Sequence, residues 1–253
     1  MRSQQVNDFP DPVQAPENID LIAISAYDSI GFLLEVNPNI VWPKLTSFGS
    51  NWDPKTLLAA YSVGLFPMPY EIDGEDSAIG WWSPHSRAVF QPDQIHVSAS
   101  LKAALKKFEV TVNKDFEAVI HACANPDRES GWINADVISA YTTLHQLGMA
   151  HSVEVWDREG NLAGGLYGLE LGGVFAGESM FHVATNASKV ALVHLGQMLN
   201  DGKGRIIDTQ WMTKHLESMG AKPINRKDYC ENLPKYLAIP PLISSFSDSP
   251  KAS

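Results

Sequence analysis

One stretch of the second half shows the clearest hydrophobic pattern and predicts a strand, a polar turn and a helix. Residues 174–176 form a short apolar strand, and Glu178 follows it. Apolar residues then recur near helical spacing over residues 187–199, with Asn186 as an N-cap side chain and Gly202 as the C-terminal stop. A strand that leads through an acid into a capped helix is how α/β proteins build pockets. A plain turn with a solvated glutamate would give the same pattern.

The flanking segments predict a mixed sheet. Residues 152–156 alternate like a half-buried strand, and two further strands break at the glycine pair 172–173. Beyond the helix, R-I-I-D-T-Q predicts a buried strand with Asp208 and Gln210 at its C-terminal end, and a last helix stops at Gly220. The order strand, strand, strand, helix, strand, helix is the layout of the N-acetyltransferase sheet. Ligands of α/β sheets lie at the C-terminal ends of strands.

The first half contains mainly helix signals. Asp53 caps a helix that has Pro54 at its first position, and Gly64 ends it. The prolines of L-F-P-M-P-Y exclude a helix or a central strand, and an acidic loop follows over residues 71–77. Three further helices are predicted. The first is capped by Ser98 or Ser100, the second is capped by Asn113, and the third spans residues 135–147.

Adjacent tryptophans in G-W-W-S-P are the most unusual aromatic feature. In a strand, Trp81 and Trp82 would face opposite ways, so that one could stack on a ligand while the other enters the core. Two core aromatics are an equally simple interpretation. Arg87 follows at a distance suited to holding this loop or a phosphate, and Trp132 lies in a later loop.

Composition narrows the class of protein. The 253 residues are 44% hydrophobic and 19% charged, as in ordinary globular domains. No apolar run has the roughly 18 to 20 residues of a membrane helix, and the N-terminus lacks the apolar core of a signal peptide. Two distant cysteines match no metal spacing and predict buried thiols in a reducing cytosol. We therefore predict a cytoplasmic protein with no metal site.

Net charge is −10, which argues against holding nucleic acid by bulk electrostatics. A local basic face remains compatible with that value, and Lys102, Lys106 and Lys107 form the clearest cluster, although a solvated helix face is the commoner meaning of such a cluster. The chain divides into a poorly assigned segment 1–50 that begins with a mobile arm, a small domain 51–97, an acetyltransferase-like domain 98–238, and a disordered tail 239–253.

An ordered set of motifs between about residues 52 and 233 resembles the leucyl/phenylalanyl-tRNA–protein transferases. The matching stretches are A-Y-S-V-G-L-F-P, W-W-S-P-H-S-R, W-I, A-Y-T-T-L-H-Q-L-G-M-A-H-S-V-E-V-W, G-G-L-Y-G, F-A-G-E-S-M-F, N-A-S-K and I-D-T-Q. The sequence departs from the family's pattern at Met68, where a tryptophan is common, at Val183, where an arginine is usual, and at Thr209, where a cysteine is usual. These departures concern substrate preference and tRNA contacts more than the reaction.

The resemblance implies transfer of Leu, Phe or Met from aminoacyl-tRNA to a protein that begins with Arg or Lys, which marks that protein for N-degron degradation. It implies no cofactor, since the ester already carries the activation, and we expect a monomer that does not bind membranes. Gln210 would hydrogen-bond the attacking amine, and Asp208 would stabilise the developing ammonium directly or by orienting Gln210. A substrate-assisted route through the ribose hydroxyl fits as well. Glu178 would bind the α-ammonium or a ribose hydroxyl as the third catalytic residue.

Further residues take binding roles from the resemblance. Gly177, Met180 and Phe181 would form an apolar cavity whose flexible thioether suits Leu, Phe and Met together. The resemblance also implies that Trp81 or Trp82, together with Trp132, would stack on the terminal adenosine. The remaining substrate-binding residues are Asn186 and Ser188 of N-A-S-K. The tRNA-binding residues would be Arg87, Lys102, Lys106 and Lys107, which read the acceptor-stem backbone.

Two alternative functions use the same fold. A coenzyme-A-dependent N-acetyltransferase would need a glycine-rich pyrophosphate loop before the helix, where this chain has M-F-H-V-A-T-N-A-S-K without a glycine. A catalytically inactive tRNA- or peptide-binding module could explain the departures at Met68 and Val183, but the presence of Glu178, Asp208 and Gln210 argues against it.

Overall fold

The computed structural model describes residues 45–48, 52–72, 75–125 and 131–243. A small three-stranded antiparallel sheet precedes the main sheet. It contains β1 (Leu45–Phe48), β2 (Phe66–Ile72) and β3 (Glu75–Trp82) in the order β1-β3-β2, next to helix α1 (Pro54–Ser62). The two prolines of β2 thus lie in an edge strand, as predicted. The segment predicted as an acidic loop instead belongs largely to the β2–β3 hairpin.

A seven-stranded mixed sheet forms the rest of the fold. Its strands are β4 (Ser86–Phe90), β5 (Glu109–Val112), β6 (Ala150–Trp156), β7 (Leu162–Leu171), β8 (Val174–His182), β9 (Ile206–Asp208) and β10 (Lys222–Asn225). Its helices are α2 (Ala99–Ala104), α3 (Phe116–Cys123), α4 (Ala135–Gln146), α5 (Ala187–Leu199), α6 (Lys214–Ser218) and α7 (Arg226–Leu237). The strand order is β10-β4-β9-β8-β7-β6-β5.

The predicted layout of the second half is confirmed. Strands β5 to β8 pair antiparallel in sequence order, and α5 then crosses over so that β9 pairs parallel with β8. One apolar cluster covers one face of the sheet with α1, α3 and α4, and a second covers the other face with α2, α5 and α6. The α/β class with a small N-terminal part and flanking helices is therefore the observed one.

Several helix ends differ from the prediction. Asp53 and Ser98 cap α1 and α2 as expected, but α3 is capped by Asp115, because the side chain of Asn113 binds the backbone N–H of Ser152. Helix α5 spans the predicted residues. Its N-cap Asn186 has a left-handed φ of 71° and makes no side-chain cap bond, so the predicted capping contact is wrong.

Strands β1, β4, β5 and β10 and helix α7 were not predicted, and the predicted disordered tail begins too early. Ile243 is fully buried, and its backbone N–H donates to Glu170. The guanidinium of Arg205 donates to the carbonyl of Pro240 at 2.7 Å. The first residues after α7 are thus fastened to the main sheet. Residues 244–253 of the predicted disordered tail and the arm before residue 45 lie outside the described residues.

Candidate active site

A β-bulge places Glu178 in the middle of β8. In the pairing of β7 with β8, Tyr167 is opposite Ser179 and the next residue, Gly168, is opposite Gly177. Glu178 is the extra residue between these two pairs. A bulge of one residue interrupts the ladder and redirects a side chain, and bulges occur often beside active sites.

The packing of β8 shows the same shift of one residue. Phe175 and Met180 are five positions apart yet contact the same cluster on the α5 face. Ala176 and Phe181 likewise share the cluster on the α3 face. In a regular strand, residues separated by an odd number point to opposite faces. The prediction that Phe181 lines the same cavity as Met180 is wrong, because consecutive strand residues point to opposite faces and Phe181 packs in the cluster on the α3 face.

Two buried tyrosines hold the Glu178 carboxylate. The Tyr61 hydroxyl donates to Glu178 Oε1 at 2.7 Å, and the Tyr61 and Tyr141 hydroxyls share a short hydrogen bond. The amide of Gln210 donates to the same oxygen at 3.4 Å. Burial raises the pKa of Glu178 to about 8, against the opposing effect of the tyrosine hydrogen bonds. Glu178 thus titrates near neutral pH.

Asp208 is buried beside this group and holds the turn that carries Gln210. Its Oδ1 accepts the backbone N–H of Gln210 at 3.0 Å, and its Oδ2 accepts the Tyr229 hydroxyl at 2.9 Å. Gln210 has a φ of 58°, a conformation that costs a residue with a side chain of order 1–3 kcal/mol unless its surroundings enforce it. Its carbonyl also accepts the N–H of Ala88 at 3.1 Å. Asp208 therefore positions Gln210 through the backbone.

Arg87 is the counter-ion of Asp208. Its Nη1 lies 3.1 Å from Asp208 Oδ2, both side chains are 3% exposed, and its Nη2 donates to the carbonyl of Gly64. The guanidinium also lies over the rings of Phe66 and Tyr229. The prediction that Arg87 contacts the tRNA backbone is wrong, because these partners hold its charge in the interior.

An apolar cavity of about 140 Å³ opens between β8 and β9. Strand β9 ends at Asp208, which is paired with Ala176, so Gly177 and the residues after it diverge from β9. Glu178, Gln210, Gly177 and Met180 are among the residues that line the cavity. The remaining lining residues are Leu166, Phe175, Ser179, Leu192, Leu195, Ile207, Thr209 and Leu216. A cavity of about 150 Å³ is known to bind benzene, so this cavity is of the size of a small apolar group.

The other predicted substrate-binding residues lie outside this cavity lining. Trp81 is fully buried and Trp82 is 7% exposed, which matches the interpretation as core aromatics. Trp82 packs edge-on against Trp211, the residue after Gln210, at a centroid distance of 5.8 Å. The half-buried Trp132 packs against the same cluster as the tryptophan pair, and Ser188 is buried at the start of α5.

The three lysines predicted to bind tRNA are not among the residues that line the cavity. Lys102, Lys106 and Lys107 are exposed on α2 and the turn after it, as a nucleic-acid face requires. Within the described residues, no group of three His, Cys, Asp or Glu side chains is arranged to hold a metal ion. In the same part of the chain, no helix has the length and apolar character needed to cross a membrane.

Tyr61, Tyr141 and Tyr229 are the polar residues at the site that sequence reasoning missed. All three are apolar enough to be read as core positions, and Tyr61 lies 117 positions from Glu178. A buried tyrosine usually bonds its hydroxyl to a polar group. This tendency is the one signal in the sequence that could have indicated polar partners for these tyrosines.

Comparison with known proteins gives the family. A model described as leucyl/phenylalanyl-tRNA protein transferase matches residues 89–234, and one for the N-terminal domain of the same enzymes matches residues 51–85. The chain belongs to the leucyl/phenylalanyl-tRNA–protein transferase family. It is 45% identical over 205 residues to a leucyl/phenylalanyl-tRNA–protein transferase of Oleidesulfovibrio alaskensis, covering 78% of this chain and 81% of the relative. To that of Pseudomonas paraeruginosa it is 49% identical over 196 residues, covering 76% and 84%.

A distant likeness to solved structures was also found. One is a GCN5-related N-acetyltransferase from Kribbella flavida, 12% identical, with a TM-score of 0.35 and coverage of 56% of this chain and 55% of that chain.

Proposed function

We propose that this protein transfers leucine, phenylalanine or methionine from aminoacyl-tRNA to the α-amine of a protein that begins with Arg or Lys. The transfer would occur in the cytoplasm, with the enzyme as a monomer, and would mark the acceptor for N-degron degradation. The observation that carries the proposal is the apolar cavity with Glu178 and Gln210 at its rim. Family membership supports it, since the named relatives are transferases of this type.

The reaction forms a C–N bond and breaks the ester C–O bond. The attacking amine must lose a proton, and the 3′-oxygen of the leaving tRNA must gain one. An α-ammonium has an ordinary pKa of about 7.7–8.0, and the pKa of Glu178 is raised to about 8. Because the two values match, proton transfer from the ammonium to Glu178 is close to thermoneutral, which suits a general base.

Gln210 and Asp208 have different tasks in this scheme. The side-chain NH2 group of Gln210 donates toward Glu178. The side-chain oxygen Oε1 of Gln210 is then an acceptor for the incoming amine. Both carboxylate oxygens of Asp208 are engaged by Arg87, Tyr229 and the Gln210 backbone. Of the two roles considered for Asp208, we therefore favour the orientation of Gln210. Positioning by such groups can contribute effective molarities of about 10⁵ M or more.

The activity is tested by transfer of labelled leucine from charged tRNA to a peptide that begins with Arg. The matched control is the same peptide beginning with Ala, and labelled acetyl-coenzyme A is offered to both peptides in parallel. We expect leucine on the Arg peptide alone. Acetylation would instead support the acetyltransferase alternative, and tRNA binding without any transfer would support an inactive binding module.

Replacing Tyr61 with Phe tests the role of Glu178 as a base. The Tyr61 hydrogen bond lowers the pKa of Glu178 against burial, so its removal should raise that pKa further. Since the base acts in its ionised form, the rising limb of the pH–rate profile should move to higher pH, while the maximal rate is approached again in alkaline buffer. Tyr229→Phe, which alters a bond to Asp208 instead, is the control. A uniform loss of rate at every pH would contradict the assignment.

A further inference from the structure

Three basic side chains lie close in sequence to residues that line the cavity. One is two positions away in a strand, one is about one turn away in a helix, and one is directly adjacent. The pairs are His182 with Met180 in β8, Lys189 with Leu192 in α5, and His215 with Leu216 in α6. Alternate residues of a strand share a face, so His182 follows Met180 on the cavity side of β8. We call His182, Lys189 and His215 the mouth cluster.

The members of the mouth cluster are close enough to repel one another. Burial lowers the pKa of His215 most, and the nearby charges of Lys189 and His182 lower it further. Across the described ranges, none of the three forms an ion pair with a carboxylate. His182 is exposed, while Lys189 and His215 are half-buried. Among the described residues, the Lys189 ammonium thus lies beside the cavity without a carboxylate partner, next to two imidazoles that can donate N–H bonds, in a chain whose net charge is −10.

The position of the mouth cluster suits contact with the RNA strand that is attached to the reacting aminoacyl ester. His182 lies four residues beyond Glu178 along β8, about 13 Å at roughly 3.3 Å per residue. A terminal nucleoside held at the cavity rim would therefore bring its phosphodiester groups toward these side chains. Phosphate contacts position nucleic acid without reading its sequence.

We infer that the mouth cluster binds phosphodiester groups of the single-stranded end of the donor RNA and so positions the aminoacyl ester at the cavity. This inference rests on the proposed function. It assigns a site separate from the predicted face formed by Lys102, Lys106 and Lys107. It also offers a basic group near Val183, where the family's usual arginine is missing and the side chain is 81% exposed.

The test compares Lys189→Ala with Lys203→Ala, an exposed lysine that precedes β9 and so lies at the opposite end of that strand from Asp208 and Gln210. Two donors are used: leucyl-tRNA, and leucyl-adenosine, which carries no phosphate. Uncharged tRNA binding is measured separately over a range of salt concentrations. For Lys189→Ala we expect KM for leucyl-tRNA to rise about 10-fold or more, as for loss of one hydrogen bond to a charged group. KM for leucyl-adenosine and kcat should stay unchanged.

The salt dependence of uncharged tRNA binding gives an independent measure. Its slope should become shallower by about 0.7 for each phosphate of the single strand that the variant no longer neutralises. Lys189→Arg should restore wild-type binding, and Lys203→Ala should resemble wild type throughout. An equal loss with leucyl-adenosine, or an unchanged salt slope, would overturn the inference.

Failure of the proposed function leaves a different signature. If the wild type transfers no leucine from either donor but its tRNA binding still depends on Lys189, the mouth cluster stands and the transfer reaction does not. If transfer proceeds and Lys189→Ala matches wild type with both donors, the mouth cluster is wrong and the reaction stands.

Discussion

Glu178→Gln should lower the rate of transfer about 100-fold or more while the protein remains at least as stable as wild type at pH 8. A positioned general base contributes about 10²–10⁴-fold, and glutamine cannot accept the proton. The amide oxygen of glutamine can still accept the Tyr61 hydrogen bond. Transfer rates and thermal denaturation of both proteins from pH 5 to 9 test this expectation.

The stability part of this prediction follows from the raised pKa of Glu178. In the unfolded chain the carboxyl ionises near its ordinary value of 4.5, whereas the folded protein retains the proton up to about pH 8. The stabilisation from the bound proton is therefore complete below pH 4.5 and is lost as the pH rises through 8. Glutamine resembles the protonated form at every pH. A variant that loses stability relative to wild type as the pH rises would contradict this account.

Asp208→Asn should destabilise the fold by about 3–5 kcal/mol, because it leaves the Arg87 charge buried without its partner. Transfer should fall as well, since the unpaired Arg87 charge would disturb the turn that carries Gln210. The double variant Arg87→Met/Asp208→Asn removes both charges. Its one amide oxygen can still accept the Gln210 N–H, while its NH2 group can donate to the Tyr229 hydroxyl. Urea denaturation of the single and double variants gives the coupling energy between the two positions.

The double variant should recover most of the lost stability. If it also recovers transfer, Asp208 acts by holding the Gln210 backbone N–H, a bond that the asparagine oxygen can still accept, and its charge is not needed. If stability returns without transfer, the negative charge itself serves the reaction. Additive effects of Arg87→Met and Asp208→Asn would contradict a buried pair.

Local signals predicted the elements of this fold well. The helix over residues 187–199 and the Asp53 cap with Pro54 depend on neighbouring residues only, and the structure has them at the predicted positions. The predicted strand end at Asp208 is confirmed, whereas Glu178, predicted to follow the end of a strand, lies inside β8. Motif resemblance gave the family, which is confirmed.

The contacts that make the site work are long-range and could not be predicted. The bulge at Glu178 depends on the register between β7 and β8, and no single residue type encodes it. Arg87 looked like a surface phosphate ligand because its partner Asp208 lies far away in the chain. Helix α7, which brings Tyr229 to Asp208, was missed because Pro234 and many polar residues weaken its helical pattern.

The bulge also leads us to expect different effects from substitutions and from one-residue deletions in β8. A substitution between Gly177 and Met180 alters one side chain and leaves its neighbours on their faces. A deletion of one residue in that stretch would remove the bulge and restore regular alternation. The residues on one side of the deletion would then point to the opposite faces of the sheet. Residues 177–180 should therefore tolerate substitutions far better than deletions or insertions.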